Sequence, residues 1–302
     1  MSRTRHSLPE GTRIDCYRVI KLIGSGGFSL IYLAEDEDTG GEVVIKEFMP
    51  KKFARRDGEL TVVPLDQKAE DNLNRSRRLF YQEVTALAAL QHPNVVSVRS
   101  FFRAHNTDYM VMEYVRGKNM AAYIKQRKGQ LSTSFILRVF LPILDAMSMI
   151  HTRSYLHLDI KPSNIHLRAG SEPMLLDFGA VHQFSGERKC KSGQVVTAGY
   201  SPVEQYYQGG YVGPWSDVYA IGASMRACIE GKTPPSAIER HANDTLVPAS
   251  AAFCDKYPLY LLQSIDWAME LDPLQRPQNA GELLVAMQNR IGRPGRVTNG
   301  SD

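Results

Sequence analysis

Short apolar runs with β-branched and aromatic residues dominate the first third of the chain. Glycine-rich turns such as Asp38-Thr39-Gly40-Gly41 separate these runs, which is typical of an antiparallel meander of strands. Farther along, apolar residues at helical spacing predict one helix, which Gln91-His92-Pro93-Asn94 ends. In chain order the predicted elements are strands at residues 17–23, 30–35 and 42–48, a helix at about 77–90, and strands at 95–102 and 109–114.

The pattern changes after residue 117, where longer apolar segments at helical spacing replace the short runs. A β-rich part followed by a mostly helical part indicates the α+β class with two lobes, and a cleft between lobes is the natural place for a ligand. We place the lobes at about residues 13–115 and 116–290. The helices predicted in the second lobe are at residues 135–151, 216–230, 259–270 and 282–290.

Three segments lie outside this pattern. Residues 1–12 and 291–302 are polar and contain glycine and proline, and we predict flexible tails there. Residues 49–74 form a polar stretch with two pairs of basic residues, and the stretch is longer than most connections within compact domains. It is either a functional insertion or a mobile loop.

Composition and charge narrow the class of protein. With 43% hydrophobic and 23% charged residues among 302, the chain resembles a globular protein rather than a disordered or collagenous one. Its formal net charge of +4 is too small for a dedicated nucleic-acid binder. The 4 cysteines form no zinc or redox motif, and neither a secretory signal nor a membrane-spanning run is evident. We therefore predict a cytoplasmic protein with reduced thiols.

The first candidate for chemistry is the glycine-rich loop Gly24-Ser25-Gly26-Gly27-Phe28-Ser29 between two predicted strands. Glycines let a backbone approach a phosphate chain closely and donate its N–H groups. The same loop is also consistent with a simple hairpin turn. A dinucleotide-binding fingerprint is disfavoured because a strand, rather than a helix, follows the glycines.

A second candidate is Lys46, at the end of the apolar strand Glu42-Val43-Val44-Ile45-Lys46. Lysine is rarely buried unless it is paired, and the predicted helix offers Glu83 on its apolar face. Such a pair would hold the ammonium group ready for the phosphates of a nucleotide. The alternative is a lysine at an exposed strand end.

Two later segments, His157-Leu158-Asp159-Ile160-Lys161-Pro162-Ser163-Asn164 and Asp177-Phe178-Gly179, carry the strongest pattern. Phosphoryl transfer needs a carboxylate to orient the attacking hydroxyl, hard oxygen ligands for Mg²⁺, and cations on the phosphates. The two segments supply all three. Each residue alone is consistent with an ordinary loop, but their order after Gly24, Lys46 and Glu83 favours phosphoryl transfer.

On these motifs, from about residue 17 to residue 290, the sequence resembles the eukaryotic-like (Hanks-type) bacterial serine/threonine protein kinases. The resemblance implies an α+β, two-lobed protein kinase fold, with a small antiparallel β-sheet lobe that has one helix and a larger, mostly helical lobe. It also implies ATP with Mg²⁺, or Mn²⁺ as a substitute. The implied reaction moves the γ-phosphate of ATP to Ser or Thr hydroxyls of protein substrates, with autophosphorylation.

The resemblance also assigns roles to residues. Asp159 is the expected catalytic base, Lys161 stabilises the transferring phosphoryl group, Asn164 and Asp177 hold Mg²⁺, and Lys46 with Glu83 positions the triphosphate. Expected contacts join Thr197 to Asp159 and Lys161, Glu204 to Arg276, and Asp217 to the backbone of the catalytic loop. The nucleotide-binding residues implied are Ile23, Gly24, Ser25, Gly26, Gly27, Phe28, Ile31, Val44, Lys46, Met112, Glu113, Val115 and His166.

Three of the departures from the family pattern affect the predicted site or its control. Ser29 replaces the third loop glycine, and His166 lies where an apolar residue usually supports the adenine. Leu158 replaces the arginine that, in many members, receives a phosphate on the activation loop. Control through that phosphate contact is therefore not expected.

Two alternative functions stay open: a nucleotide-binding scaffold without activity, and a phosphotransferase for small molecules. The first is disfavoured because no catalytic position is missing, and the second because Lys161, Thr197 and the segment after it are typical of kinases with protein substrates. The style of the motifs also suggests, by analogy, a cognate Ser/Thr phosphatase and type VI secretion components as partners. No nucleic-acid or membrane partner is expected.

Overall fold

A computed structural model describes residues 6–179, 181–184, 196–207 and 210–291. The chain divides into two compact units, unit 1 at Met1–Arg116 and unit 2 at Gly117–Asp302. Unit 1 is built on a six-stranded sheet in which all neighbouring strands are antiparallel. Its elements are β1 (Arg13–Ile14), β2 (Tyr17–Ser25), β3 (Ser29–Asp36), β4 (Glu42–Phe48), β5 (Ala54–Arg56), β6 (Val62–Pro64), α1 (Gln67–Ala89), β7 (Val98–Ala104) and β8 (Thr107–Glu113).

The sheet has the strand order β1-β2-β3-β4-β8-β7, so β4 and its charged residues lie in its interior. Ile31 of β3 and Met110 of β8 both pair with Lys46, which places these three side chains on one face because facing residues share a face. Glu47 points to the opposite face, with Tyr109 as its partner. Both Lys46 and Glu47 are buried, so both faces of the sheet are covered at β4.

Helix α1 covers the Lys46 face. Asp66 caps its first turn by accepting a hydrogen bond from the amide of Ala69 at 2.7 Å. Phe80 packs its ring on Phe48 of β4 at a centroid distance of 5.6 Å. The prediction began this helix at about residue 77, but it begins at Gln67. The first turns are mostly polar and exposed and therefore carry little of the apolar periodicity on which the prediction rested.

The segment at residues 49–74 is folded, so of the two alternatives, a functional insertion or a mobile loop, the structure disfavours the mobile loop. It contains the antiparallel hairpin β5–β6 and the first part of α1. Ala54 and Val62 are fully buried, and the amide of Val62 donates to the carbonyl of His105 at 2.8 Å. Because only a few apolar residues hold this hairpin, its polar composition did not indicate that the segment is folded.

The expectation of a flexible tail over residues 1–12 is also wrong for the described part, which starts at His6. Leu8 is buried, and its amide donates to the hydroxyl of Tyr32 at 3.0 Å. Gly11 donates to the carbonyl of Val19 at 2.8 Å, so this segment runs along β2. The expected C-terminal tail, apart from Ile291, lies outside the described residues.

Unit 2 is mainly helical, as predicted. Its long helix α4 is buried over most of its length and ends at Gly231, whose φ of +76° suits a glycine at a helix C-terminus. The elements are β9 (Lys118–Asn119), α2 (Met120–Arg127), α3 (Thr133–Thr152), β10 (Tyr155–Leu156), β11 (Ile165–Leu167), β12 (Pro173–Leu175), β13 (His182–Gln183), α4 (Pro214–Glu230), α5 (Ala237–Ala242), α6 (Ala249–Ala252), α7 (Leu259–Ala268) and α8 (Ala280–Ile291).

Helix α3 is the one helix within the described ranges that is long and apolar enough to cross a membrane by length and composition. Its apolar side is buried along the whole helix, from Ile136 to Ile150, and it packs against α4 and α8. This is the pattern of a central helix of a helical domain. The helix therefore forms part of the core of unit 2.

Candidate active site

Unit 1 contains the predicted ion pair. The Lys46 ammonium contacts Glu83 Oε1 at 2.6 Å, and the two side chains are only 7% and 5% exposed. Strand β4 presents the lysine and the inner face of α1 presents the carboxylate. Because an unpaired charge at this depth is strongly destabilising, the pair locks the position of the ammonium group to that of α1.

Three other predicted nucleotide-binding residues on the sheet, Ile31, Val44 and Met112, share the Lys46 face. Val44 lies two residues before Lys46, Ile31 pairs with Lys46, and Met112 pairs with Val44. Ile23 is largely exposed on β2, and Glu113 and Val115 are half-buried at and beyond the end of β8. The strand pairing alone therefore brings an apolar surface and one ammonium group onto the same face of the sheet.

The glycine-rich loop joins β2 to β3 as a tight hairpin. Gly26 donates its amide to the carbonyl of Ser29 at 2.9 Å, and Phe28, whose side chain is 56% exposed, lies at its tip. A Cβ atom on Gly24 would lie 3.3 Å from Ile31, so this position favours glycine. Lys51 donates its amide to the carbonyl of Gly27 at 3.3 Å and its ammonium to Ser25 Oγ.

A second buried charge pair lies on the opposite face of β4, and the sequence motifs did not indicate it. Glu47 is fully buried and accepts hydrogen bonds from Tyr32 at 2.8 Å, Tyr109 at 2.7 Å and Arg56 at 2.5 Å. Arg56 also donates to the carbonyls of His6 and Leu60. The pair therefore ties the hairpin and the N-terminal segment to the strand that carries Lys46.

Electrostatics around Glu47 are consistent with a charged pair. Burial alone would lower the pKa of Arg56, but the Glu47 carboxylate more than offsets this and the pKa is raised. Burial, and then the Glu47 charge, raises the pKa of Tyr32 and Tyr109, so both hydroxyls stay protonated as donors.

In unit 2, four predicted residues meet at the loop of residues 157–164, the predicted catalytic loop. Asp159 accepts hydrogen bonds from the Lys161 ammonium at 2.8 Å on both carboxylate oxygens and from Thr197 Oγ1 at 2.8 Å. Lys161 also donates to Thr197 Oγ1 at 3.1 Å. Asn164 donates to the carbonyl of Asp159 at 2.9 Å and to Asp159 Oδ2 at 3.1 Å. These contacts fix the carboxylate from several sides.

Asp217 of α4 holds the backbone of this loop. Its two carboxylate oxygens accept hydrogen bonds from the amides of His157 at 2.9 Å and Leu158 at 2.7 Å, and His151 Nε2 lies 3.1 Å away. The ring of His157 packs against Phe178 at 4.6 Å. Burial lowers the pKa of His157, so the imidazole stays neutral. The expected contact of Asp217 is present, whereas His151 was not predicted.

The predicted metal ligands have oxygen donors. Asn164 uses its Nδ2 atom for hydrogen bonds to Asp159, which leaves Oδ1 as its oxygen ligand. Asp177 has a φ of +58°, in the left-handed region, and its Oδ1 accepts from the amide of Gly179 at 3.3 Å. Carboxylate and amide oxygens suit Mg²⁺. His166, the predicted adenine contact, lies half-buried on β11 between Met174 and Asn119.

The expected pair of Glu204 and Arg276 is also formed. The guanidinium group contacts the two carboxylate oxygens at 2.7 and 3.2 Å, and Ser216 Oγ donates to Glu204 at 2.8 Å. Three of the four cysteines, Cys16, Cys228 and Cys254, are free thiols, and Cys190 lies outside the described residues. The expected reduced state therefore agrees with the described part of the chain.

Comparisons with known proteins agree with this geometry. Residues 17–280 match the protein kinase domain family. The solved structure described as "PpkA-294 apo form" has a TM-score of 0.82, 30% sequence identity, and coverage of 93% of this chain and 99% of that chain. The chain belongs to the protein kinase domain family, and its fold is the protein kinase fold.

Curated relatives point to the same branch of the family. The serine/threonine-protein kinase PknA of Nostoc sp. is 29% identical over 288 residues, which are 90% of this chain and 47% of the relative. The serine/threonine-protein kinase PrkC of Bacillus subtilis is 28% identical over 218 residues, 72% of this chain and 31% of the relative. The chain thus spans less than half the length of either relative. The prediction of a Hanks-type bacterial serine/threonine kinase domain is confirmed, and such kinases use ATP with a divalent metal ion.

Proposed function

We propose that this domain transfers the γ-phosphoryl group of ATP to Ser and Thr hydroxyls of protein substrates, with Mg²⁺ as its metal ion and Mn²⁺ as a substitute. The observation that carries the proposal is the closed set of contacts among Asp159, Lys161 and Thr197. Residues far apart in sequence there fix one carboxylate and one ammonium group side by side. A carboxylate in this position can orient a hydroxyl, and the ammonium group beside it can neutralise the charge of a phosphoryl group.

The chemical step assigned to this loop is a simple displacement. The substrate hydroxyl oxygen forms a bond to the γ-phosphorus, the bond from that phosphorus to the β,γ-bridging oxygen breaks, and ADP leaves. Asp159 orients the hydroxyl and accepts its proton, while Lys161 offsets negative charge on the phosphoryl oxygens. Asn164 and Asp177 would hold the Mg²⁺ ion, which supplies positive charge to the phosphates.

Unit 1 supplies the proposed nucleotide contacts. Lys46, held by Glu83, would bind the phosphates, and the backbone of the glycine-rich loop would cover them. Ile23, Ile31, Val44 and Met112 would contact the base, with hinge backbone groups at Glu113 and Val115. In unit 2, His166 is the proposed floor of the adenine site.

The test is intact-mass measurement of the purified chain after incubation with Mg²⁺ and ATP, following treatment with a phosphatase. We expect mass gains in steps of one phosphate, located on Ser or Thr by fragmentation. The Asp159→Asn variant keeps the shape of the side chain but cannot accept the proton, and it should show no gain. An equal gain in the variant, or none in either protein although both bind ATP, would contradict the proposal.

We also propose that the substrates are proteins. The proposed place of the reaction is the cytoplasm, where ATP is available and the free thiols Cys16 and Cys254 stay reduced. A Ser/Thr phosphatase and type VI secretion components are the proposed partners, supported by the style of the motifs. Co-purification of such a phosphatase with the tagged full-length protein would support this assignment.

A further inference from the structure

Leu158, the residue before the proposed base, has an unusual backbone. Its φ is +58°, in the left-handed region that a branched L-residue rarely adopts. Such a conformation persists only where its surroundings hold it. Neighbouring groups must therefore hold the peptide that joins Leu158 to Asp159.

Both ends of that peptide group have partners. The Leu158 carbonyl accepts a hydrogen bond from Gln205 Nε2 at 3.0 Å. The Asp159 amide donates to His157 Nδ1 at 3.3 Å. Since burial keeps the His157 imidazole neutral, Nδ1 can act as an acceptor. Rotation of this peptide would break both hydrogen bonds and would redirect the Asp159 side chain.

Gln205 is itself firmly placed. It is 4% exposed and lies at the end of the short 3₁₀ turn Val203–Gln205. The preceding residue, Glu204, is held by Arg276 and Ser216. The Gln205 side-chain amide, which donates to the catalytic loop, therefore belongs to a well-anchored segment. It adds little conformational freedom of its own.

The Leu158 side chain supports the same arrangement. It is 2% exposed in a cluster with Leu156 and Val212, and Phe184 packs on this cluster. An apolar side chain here makes no ionic contact that could fix the loop. The polar grip on the Leu158 backbone comes from Asp217 at its amide and Gln205 at its carbonyl.

We propose that Gln205 is a positioning residue for phosphoryl transfer: its side-chain amide fixes the Leu158–Asp159 peptide and thereby aims the Asp159 carboxylate. The proposal rests on the proposed kinase function. It joins the segment after Thr197 to the catalytic loop through one hydrogen bond. It also requires a hydrogen-bond donor at position 205, because only a donor satisfies the Leu158 carbonyl.

Two variants test whether Gln205 acts as a hydrogen-bond donor or only fills space. Gln205→Met keeps the volume but removes the donor, and we expect kcat to fall by about 10- to 100-fold while the KM for ATP changes less than about twofold. Gln205→Glu puts a carboxylate against the Leu158 carbonyl. That buried carboxyl should have a raised pKa, and its protonated form can donate to the carbonyl again.

The decisive readout is the pH profile of each variant relative to the wild type. The ratio of kcat for Gln205→Glu to wild type should rise by roughly tenfold from about pH 8 to about pH 6, whereas the ratio for Gln205→Met should stay flat. The assay uses the tagged Asp159→Asn chain as phosphate acceptor. Gln278→Met is the matched control, since Gln278 also donates to two backbone carbonyls, of Pro273 and Arg276, but contacts no catalytic residue. Its kcat should stay within about twofold of wild type.

Two results would overturn the proposal: wild-type kcat in Gln205→Met, or parallel pH profiles for the two variants. A wild-type chain without phosphate transfer would instead count against the proposed kinase function. In that case the amide ¹⁵N–¹H signal of Asp159 still decides the positioning role. It should shift in Gln205→Met and stay unchanged in Gln278→Met, and an unmoved signal in both would contradict the proposal.

Discussion

Both units contain buried charges, but the partners of these charges differ in kind. The charges are Lys46 and Glu47 in unit 1 and Asp159 and Asp217 in unit 2. In unit 1 each charge meets an opposite charge from a distant segment, Glu83 on α1 and Arg56 on the hairpin. In unit 2, Asp217 binds backbone amides of the catalytic loop. Asp159 has two of its partners, Lys161 and Asn164, within the same loop.

This difference has consequences for how each unit keeps its geometry. Displacement of α1 from the sheet would move the counter-charge of Lys46, because Glu83 is on that helix. The Asp159 carboxylate is held by Lys161 and Asn164 of its own loop and by Thr197, and Asp217 of the buried helix α4 holds the backbone of that loop. We therefore expect unit 1 to be the part in which displacement of one element changes the site, and unit 2 to be the more preorganised part.

Lys46→Met tests the buried ion pair of unit 1 directly. The change breaks the buried ion pair with Glu83 by removing its ammonium group, and we expect a loss of about 3–5 kcal/mol in the free energy of unfolding. Urea denaturation measures this. Adding Glu83→Leu should recover most of the stability but none of the phosphate transfer. A single variant within about 1 kcal/mol of wild type would show that the pair is not buried in solution.

The pair on the other face of β4 offers the matched experiment. Arg56→Met leaves Glu47 with two tyrosine hydroxyls but without its cation, and we expect about 2–4 kcal/mol of destabilisation. Arg55→Met, at an exposed neighbouring position, should change stability by less than about 0.5 kcal/mol. Equal effects of the two variants in thermal or urea unfolding would contradict a specific role for the Glu47–Arg56 pair.

In unit 2, Thr197→Val tests whether the Asp159 carboxylate depends on Thr197, which lies outside the catalytic loop. The change removes the hydroxyl that donates to Asp159 and accepts from Lys161. We expect about a tenfold fall in kcat, about 1.4 kcal/mol, with nearly unchanged stability. Thr197→Ser keeps the hydroxyl and should retain most of the activity, and equal losses in both variants would assign the effect to packing instead.

The smallest expected effect is a pH dependence of stability. Burial lowers the pKa of His157 and, together with the Arg56 charge, that of His105. A lowered histidine pKa means that the unfolded chain binds the proton more readily. The contribution to stability is therefore complete above about pH 6.5 and is lost as the pH falls below it.

Unfolding by urea from about pH 8 to pH 5 measures this dependence. His157→Phe keeps an aromatic ring against Phe178 and should flatten the profile more than His105→Phe, since His157 is fully buried and His105 is half-buried. A steeper loss of stability in His157→Phe than in wild type would have the wrong sign for this explanation.

Much of the fold and of the site followed from local sequence. Strand β4 runs over the predicted residues, because its apolar positions are continuous and turns flank it. The catalytic loop was predictable because its residues lie within one short motif. Glu47, Arg56 and Gln205 were not, because each is polar, common and significant only through a partner far along the chain. The start of α1 was missed because its exposed first turns carry no apolar stripe.

Adjacent opposite charges on β4 also bear on how the chain finds its strand pairing. Lys46 and Glu47 point to opposite faces, toward Glu83 and Arg56 respectively. A slip of one residue would exchange the faces and bring like charges together on both sides of the sheet. A sheet in the wrong register would contain two unfavourable like-charge contacts. This dipeptide therefore disfavours wrong strand alignments during folding and also stabilises the finished site.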